Sequence, residues 1–310
     1  MPELPAEVKE LALRVRNWGR WGPDDELGTL NLIDAGALLR GAAEIRTGKR
    51  FALGIPLDEK GPQTGVVPGR INPLRTMLMI NHPYLKGDRR NFCNSDDTVT
   101  MGLQSWTHWD ALSHVSYEGH IWNGYPDDVV DYRGARRCGI EKVRTLASRG
   151  VLLDVARARG VERLAGGSAV TAEDLDAAAE LGRIRVEPGD VVFVRTGQMQ
   201  LLRAGDRSGY IAPAPGPSLR TVEWLRRHDV AALATDSFTG EVFPAELPDT
   251  YLPIHLLHLV EMGLTQGQNF DLEALSADCA EDGRYAFFVD ATPLPFTRAV
   301  ASPVNPVAIK

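Results

Sequence analysis

The sequence predicts an α/β fold around a central, mostly buried sheet, and three observations support this. Short apolar runs of strand length recur along the chain, nearly continuous rather than alternating, as in strands covered on both faces. Segments with helical periodicity separate these runs, and such alternation is typical of the α/β class. The 310 residues contain no internal repeat, low-complexity tract or Ser/Gly-rich linker, so we expect a single domain over residues 1–310.

A helix is predicted at the start of the chain, within residues 1–20. Its apolar residues share one helical face: Leu4, Val8, Leu11 and Val15. Residues 17–33 follow as a structured loop, because they are rich in Gly, Pro and Asp. We expect the helix and this loop to contribute a contact between subunits.

The strands and the remaining helices are predicted further along. The apolar runs that predict strands are 151–156, 191–195, 230–235 and 285–290. Thr171 and Asp174 form a capping-box pattern, which predicts a helix ending near Gly182. Ser218 is suited to cap a further helix. Residues 203–217 lack an apolar period and are rich in Gly and Pro, which predicts a long loop, either a lid over a site or an exposed excursion.

The composition excludes several classes of protein. The formal net charge of −7 argues against nucleic acid or an anionic membrane as a partner, since both need a basic surface. No apolar run approaches the roughly 18 residues of a membrane span. The three cysteines are widely spaced and form no CxxC pair, and the first residues do not resemble a signal peptide. We therefore expect a cytoplasmic protein with reduced thiols.

The histidines indicate where a site lies, because five of the seven fall within residues 104–120 and 254–270. In an extended backbone, Gln104, His108 and Asp110 point to the same side, which offers an amide oxygen, an imidazole and a carboxylate to a divalent ion. His114 follows Asp110 by four residues and is a candidate base. The alternative interpretation makes the two histidines ordinary polar residues beside an aromatic core of tryptophans, since the HxD pattern is short and common.

These residues also carry a family resemblance. The segment THWDALSH, which contains His108, Asp110 and His114, resembles the HxGTHxDxPxH signature of the cyclase-like metal-dependent hydrolases, whose members include bacterial kynurenine formamidase and isatin hydrolase. The segment IHLLHLVEMGLTQGQNFDLEAL resembles the later motif of that family. The segments NWGRWGPDDELGTLNLI, GRINP and ASPVNPVAI resemble its longer members, so the likeness spans about residues 18–309.

The resemblance implies a set of roles for individual residues. His108 and Asp110 match metal ligands, and His114 matches the catalytic histidine. His255 matches the later histidine ligand, although His258 lies one helical turn away and competes for that role. The resemblance further implies a domain of the swivelling β/β/α type that assembles as a homodimer or homotetramer.

Two departures from the family pattern affect the metal. Gln104 stands where the family has its first motif histidine, and Gln268 stands where a ligand acid is expected. With both amides as ligands, Asp110 is the single formal negative charge of the set. Amide oxygens bind zinc weakly, so affinity should fall and preference should move from Zn²⁺ toward Mn²⁺ or Mg²⁺. We expect Mn²⁺ or Zn²⁺ as the cofactor.

Further residues are candidates for substrate contact. They are Trp106 and Trp109, which indicate a planar or aromatic small molecule, together with Arg70, Asn123 and Glu241. Arginine pairs with a carboxylate in a two-pronged geometry. Glu241 is also a candidate metal ligand, and its alternative is an exposed acid in a loop after a strand.

The predicted function is metal-dependent hydrolysis of the C–N bond of an amide, formamide or cyclic amide. Three alternatives remain open at this level. A lactone hydrolase would use the same site on a different bond. A binding protein of the same fold would have lost the metal through the two glutamines. A cofactor-independent acid–base enzyme would use His114 with Asp110.

Overall fold

A nine-stranded mixed sheet forms the centre of the computed structural model, which describes residues 4–247 and 249–310. The strands are β1 (Arg50–Ala52), β2 (Leu74–Pro83), β3 (Cys93–Thr100), β4 (His108–Asp110), β5 (Val130–Asp131), β6 (Gly134–Ala135), β7 (Ala147–Asp154), β8 (Ala169–Val170), β9 (Val191–Arg195), β10 (Gly216–Pro217), β11 (Ala232–Thr235), β12 (Thr265–Gln268), β13 (Ala286–Asp290), β14 (Ala301–Pro303) and β15 (Val307–Ile309). The order of strands in the main sheet is β1-β15-β13-β7-β9-β11-β12-β4-β14.

The helices cover the sheet. They are α1 (Ala6–Val15), α2 (Ala35–Ala42), α3 (Val155–Ala158), α4 (Ala172–Gly182), α5 (Met199–Arg203), α6 (Arg207–Ile211), α7 (Val222–Arg227), α8 (Pro253–His255) and α9 (Glu273–Asp282). A π-helix (Leu256–Met262) continues α8, and short 3-10 helices lie at Gly28–Leu32, Trp122–Gly124, Asp127–Val129, Ile140–Lys142 and Leu219–Thr221. In the part of the chain that the structure describes, every helix is too short or too polar to traverse a bilayer.

The parallel centre of the sheet confirms the predicted α/β class. Strands β7, β9, β11 and β12 are parallel neighbours, and antiparallel strands extend the sheet on both sides. Alternate residues of β9 enter two separate apolar clusters, Val192 and Val194 on one face, Val191 and Phe193 on the other. Both faces are therefore covered, which explains the continuous apolar runs.

The predicted helix start at Thr171 is confirmed in detail. The Thr171 hydroxyl accepts from the Asp174 backbone N–H, and the Asp174 carboxylate accepts from the Thr171 backbone N–H. Each bond satisfies a donor that the helix itself leaves unpaired. The helix ends at Gly182, as the sequence predicts.

The N-terminal helix α1 buries its apolar face against other parts of the same chain. Val8, Leu11 and Val15 are buried in the same cluster as residues of β7, α7 and the π-helix. The following loop is held by hydrogen bonds to the rest of the chain: Trp18 Nε1 donates to the Val260 carbonyl and Thr29 Oγ1 donates to the Ala231 carbonyl. The apolar surface that suggested a subunit contact is thus not available there. Leu4, the first of the four predicted face residues, is half-buried against the same cluster.

The long loop predicted at residues 203–217 is largely structured, and this corrects the sequence prediction. It contains α6 and β10, and β10 pairs with β8 in a two-stranded parallel ladder. Tyr210 is fully buried, and its hydroxyl donates to Asn269. Tyr210, Ile211 and residues 214–217 are buried, whereas residues 203–206 are exposed, so only the first part of the segment matches the predicted exposed loop.

A protruding hairpin, which the sequence analysis did not identify, is formed by β2 and β3. Among the described strands, these two pair only with each other, over 74–83 and 93–100, with irregularities in register at two points. We call residues 74–100 the arm. Its apolar side chains are exposed rather than buried: Leu74, Leu78, Ile80, Tyr84, Leu85, Phe92 and Val99.

Candidate metal and acid–base site

The site begins at β4, a three-residue buried strand between β12 and β14. In β4, His108 and Asp110 point to one face and Trp109 to the other, because side chains alternate along a strand. The register places Gln268 of β12 opposite His108. The predicted extended segment is therefore confirmed for His108 and Asp110, whereas Gln104 lies in a turn before β4. The ladder joins the two motifs of the sequence, which are separated by about 150 residues.

The carboxylate of Asp110 lies at the centre of the site. Its Oδ1 is 3.5 Å from His108 Nε2 and 3.7 Å from His114 Nε2, and its Oδ2 is 3.9 Å from His255 Nε2. Gln268 Nε2 donates to Oδ2 at 2.8 Å. Three imidazoles and an amide thus surround one fully buried carboxylate.

The electrostatics of the cluster follow from this arrangement. Burial alone would raise the pKa of Asp110, but His114 and His108 outweigh it and hold the pKa well below its usual range. Burial lowers the pKa of His114 in spite of the attraction of Asp110. The structure therefore places a neutral imidazole beside an ionised carboxylate near neutral pH, the state in which a histidine accepts a proton.

Glu241 orients His255. Its Oε1 accepts from the backbone N–H and from Nδ1 of His255, at 3.0 and 2.5 Å, and its Oε2 accepts from the backbone N–H of Ile254. Burial alone would lower the pKa of His255, but the bond to Glu241 raises it. With Nδ1 donating to Glu241, Nε2 faces Asp110 and Gln268. The carboxylate acts through the histidine, an arrangement common behind metal-ligating imidazoles.

His258 does not share this position. It is fully buried in the π-helix, its Nδ1 pairs with Gln266 Oε1 at 3.0 Å, and burial lowers its pKa to about 3. Of the two competing histidines, His255 is the one that reaches the carboxylate of Asp110.

Two buried atoms at the centre of the site lack a hydrogen-bond donor, which bears on whether the site suits a cation. His108 Nδ1 lies 2.5 Å from the Trp106 carbonyl oxygen, so Nδ1 carries the proton and Nε2 has a free lone pair. This Nε2 faces Asp110 Oδ1, and neither buried atom has a hydrogen-bond partner among the described residues. Two facing acceptors without a donor are costly to bury, and a cation between them removes that cost. The residues fit a divalent cation.

The fit is incomplete with histidines and acids alone. Within residues 4–247 and 249–310, no three His, Cys, Asp or Glu side chains are arranged to hold an ion by themselves. Oxygen from an amide or from water would have to complete the set, which favours harder cations. Gln268 presents its amide nitrogen to the site, 3.3 Å from His255 Nε2, so its oxygen would reach an ion only with the amide turned over. Gln104 Nε2 lies 3.4 Å from His114 Nδ1 and contacts the candidate base instead.

Three predicted substrate contacts lie elsewhere. Trp109 is fully buried against Phe270 on the opposite face of β4, so it is a core residue. Trp106 donates to the Ile55 carbonyl and lines a neighbouring cavity. Asn123 adopts a left-handed backbone conformation, and its side chain binds the backbone of residues 19–25.

A cavity of about 240 Å³ opens onto the cluster. His114, His255 and Gln268 form its polar floor, and Arg70 lies in its wall. The other lining residues are Val67, Val115, Phe238, Thr239, Tyr251, Leu252 and Leu256. The sequence analysis missed Phe238 and Tyr251, although Phe238 directly follows a predicted strand, where ligand-binding loops of α/β proteins lie.

A larger cavity, of about 650 Å³, lies beside Arg195. The guanidinium of Arg195 is fully engaged there, by Asp154 at 2.9 Å and by both carboxylate oxygens of Glu273. We place the candidate site at the smaller cavity, because His114, His255 and Gln268 of the cluster around Asp110 line it.

The fold and this cluster define the class: an α/β protein with three histidines around one buried carboxylate at the margin of its parallel strands. The family model for Cyclase, described as "Putative cyclase", matches residues 51–242. A crystal structure of a novel cyclase is 35% identical, with a TM-score of 0.86, and the match covers 95% of this chain and 99% of that one. The chain belongs to the Cyclase family.

More distant structures share the fold alone. Isatin hydrolase A from Labrenzia aggregata, bound to benzyl benzoate, is 17% identical, with a TM-score of 0.63 and coverage of 88% of this chain and 97% of that one. A predicted metal-dependent hydrolase from Bacillus stearothermophilus is 13% identical, with a TM-score of 0.53 and coverage of 85% and 98%. No curated protein matches the chain.

Proposed function

We propose that the protein is a metal-dependent hydrolase that cleaves the C–N bond of an amide, formamide or cyclic amide. The observation that carries the proposal is the pair of facing, unpartnered acceptors His108 Nε2 and Asp110 Oδ1 beside a neutral His114. The names of the distant structural relatives, isatin hydrolases and a metal-dependent hydrolase, support the same class.

His108, Asp110 and His255 would hold the ion, with Gln268 beside them. When bound, a divalent cation supplies Lewis acidity that polarises a carbonyl and lowers the pKa of water. His114 Nε2 takes the proton of the attacking water and returns it to the leaving nitrogen. For Nε2 to accept this proton, the amide oxygen of Gln104 must face Nδ1, an orientation reached by turning the amide over.

A lactone would be opened by the same groups. The ring oxygen would then leave in place of nitrogen, and it needs less help from His114 because an alkoxide is a better leaving group than an amide anion. A side-by-side assay of matched lactams and lactones separates the two reactions.

The test combines metal analysis with chelation. Wild-type protein purified with Mn²⁺ and Zn²⁺ should retain a divalent ion, His108→Ala should lose it, and chelation should abolish hydrolysis of a panel of formanilides and lactams. Hydrolysis that survives chelation would favour the cofactor-independent acid–base enzyme. Absence of both ion and hydrolysis would favour a binding protein.

Glu241→Gln is expected to lower cation affinity or kcat/KM about 10- to 100-fold, because the neutral amide no longer fixes which nitrogen of His255 carries the proton. Cation titration and steady-state kinetics measure both quantities. Glu180→Gln is the matched control, since this side chain on α4 is exposed and does not line the cavity. Wild-type affinity and kinetics in Glu241→Gln would contradict the role.

A further inference from the structure

Arg70 occupies an unusual place beside the site. It precedes the arm, its backbone N–H donates to the Val67 carbonyl, and its stem lies against Gly102, where an added Cβ would be 3.7 Å from Arg70 Cγ. The side chain lines the same cavity as His114 and His255. The positive charge of Arg70 is close enough to act against protonation of His114 and His255, which by itself lowers the pKa of each.

The guanidinium of Arg70 makes no hydrogen bond or ion pair with any described residue, whereas other half-buried arginines of this chain are paired. Arg16 binds both carboxylate oxygens of Glu261, and Arg20 binds both of Asp229. Burial lowers the pKa of Arg70, which records the cost of taking its charge out of water. A desolvated cation without a partner is costly unless a ligand pairs with it.

We propose that Arg70 binds a carboxylate of the substrate, so that the site takes small anionic amides or lactones. This rests on the proposed function. The guanidinium fork suits a carboxylate better than a neutral polar group. The cavity of about 240 Å³ is below the usual range of about 300–1,000 Å³ for ligand pockets, which limits the substrate to about one ring plus its charged group. Phe238 and Tyr251 contribute aromatic rings to the lining of this cavity, whereas Trp106 and Trp109 do not line it.

The test uses benzoate and benzamide, which have the same shape and differ in charge. Calorimetry is done on chelated protein, so that a bound ion cannot capture the carboxylate. Wild type should prefer benzoate about 10- to 100-fold, as expected for a charge-assisted pair. Arg70→Gln should lose that preference, Arg70→Lys should keep part of it, and the exposed Arg144→Gln should keep all of it.

Equal binding of the two probes to wild type, or an unchanged preference in Arg70→Gln, would overturn the inference. The readout is independent of catalysis. Arg70-dependent benzoate binding by a protein that hydrolyses none of the amides or lactones would defeat the proposed function alone. Hydrolysis of neutral amides unaltered by Arg70→Gln, without benzoate preference, would defeat only the role of Arg70.

Discussion

Asp110→Asn is expected to abolish cation binding and to lower kcat/KM by about 10³-fold or more. Among the acids of residues 4–247 and 249–310, Asp110 alone has oxygens within 4 Å of the Nε2 atoms of three histidines, His108, His114 and His255. The change keeps the shape of the side chain and removes its charge. Loss of a Lewis-acidic cation costs several kcal/mol of transition-state stabilisation, and each 1.4 kcal/mol is tenfold in rate.

Cation content by elemental analysis and steady-state kinetics measure this effect, and thermal unfolding checks that the variant is folded. Asp127→Asn, an exposed acid outside the cavity, is the control. A folded Asp110→Asn protein with wild-type cation content would show that the carboxylate is not a ligand.

His114→Ala is expected to lower kcat about 10²- to 10⁴-fold while cation content stays unchanged, because the proposed function makes His114 the proton carrier and not a ligand of the ion. Its imidazole lines the cavity, and Gln104 contacts its far nitrogen. The combination of retained ion and lost turnover separates this variant from Asp110→Asn.

Added imidazole should restore part of the activity of His114→Ala, since the cavity left by the side chain opens to the substrate. The exposed His120→Ala should behave as wild type. If His114→Ala loses its ion together with its activity, the histidine is a ligand rather than the base.

Local patterns predicted the local parts of this structure. The capping box at Thr171 and the buried strand over residues 191–195 depend on neighbours within a few residues, and both are present as predicted. The even spacing of His108 and Asp110 likewise placed them on one face once the segment was extended.

Features that depend on distant parts of the chain could not be predicted from local sequence patterns. Nothing near Trp109 shows which face of β4 meets the core, because β12 and β14 decide it from residues 265–268 and 301–303. Glu241 was a candidate ligand by position, and only the fold shows that it binds the nitrogen of His255 that faces away from the site. The two strands of the arm are not buried, so their sequence does not show the apolar pattern by which buried strands are recognised.

The strand β14 has a consequence for how the protein is made. β4 is held on one side by β14, so the ladder that carries His108 and Asp110 is incomplete until residues 301–303 exist. During synthesis on the ribosome, some 190 residues must be added after Asp110 before its strand gains that neighbour. A nascent chain therefore exposes the imidazoles and the carboxylate long before it can shape the pocket, and the cluster is completed only in the last stage of folding.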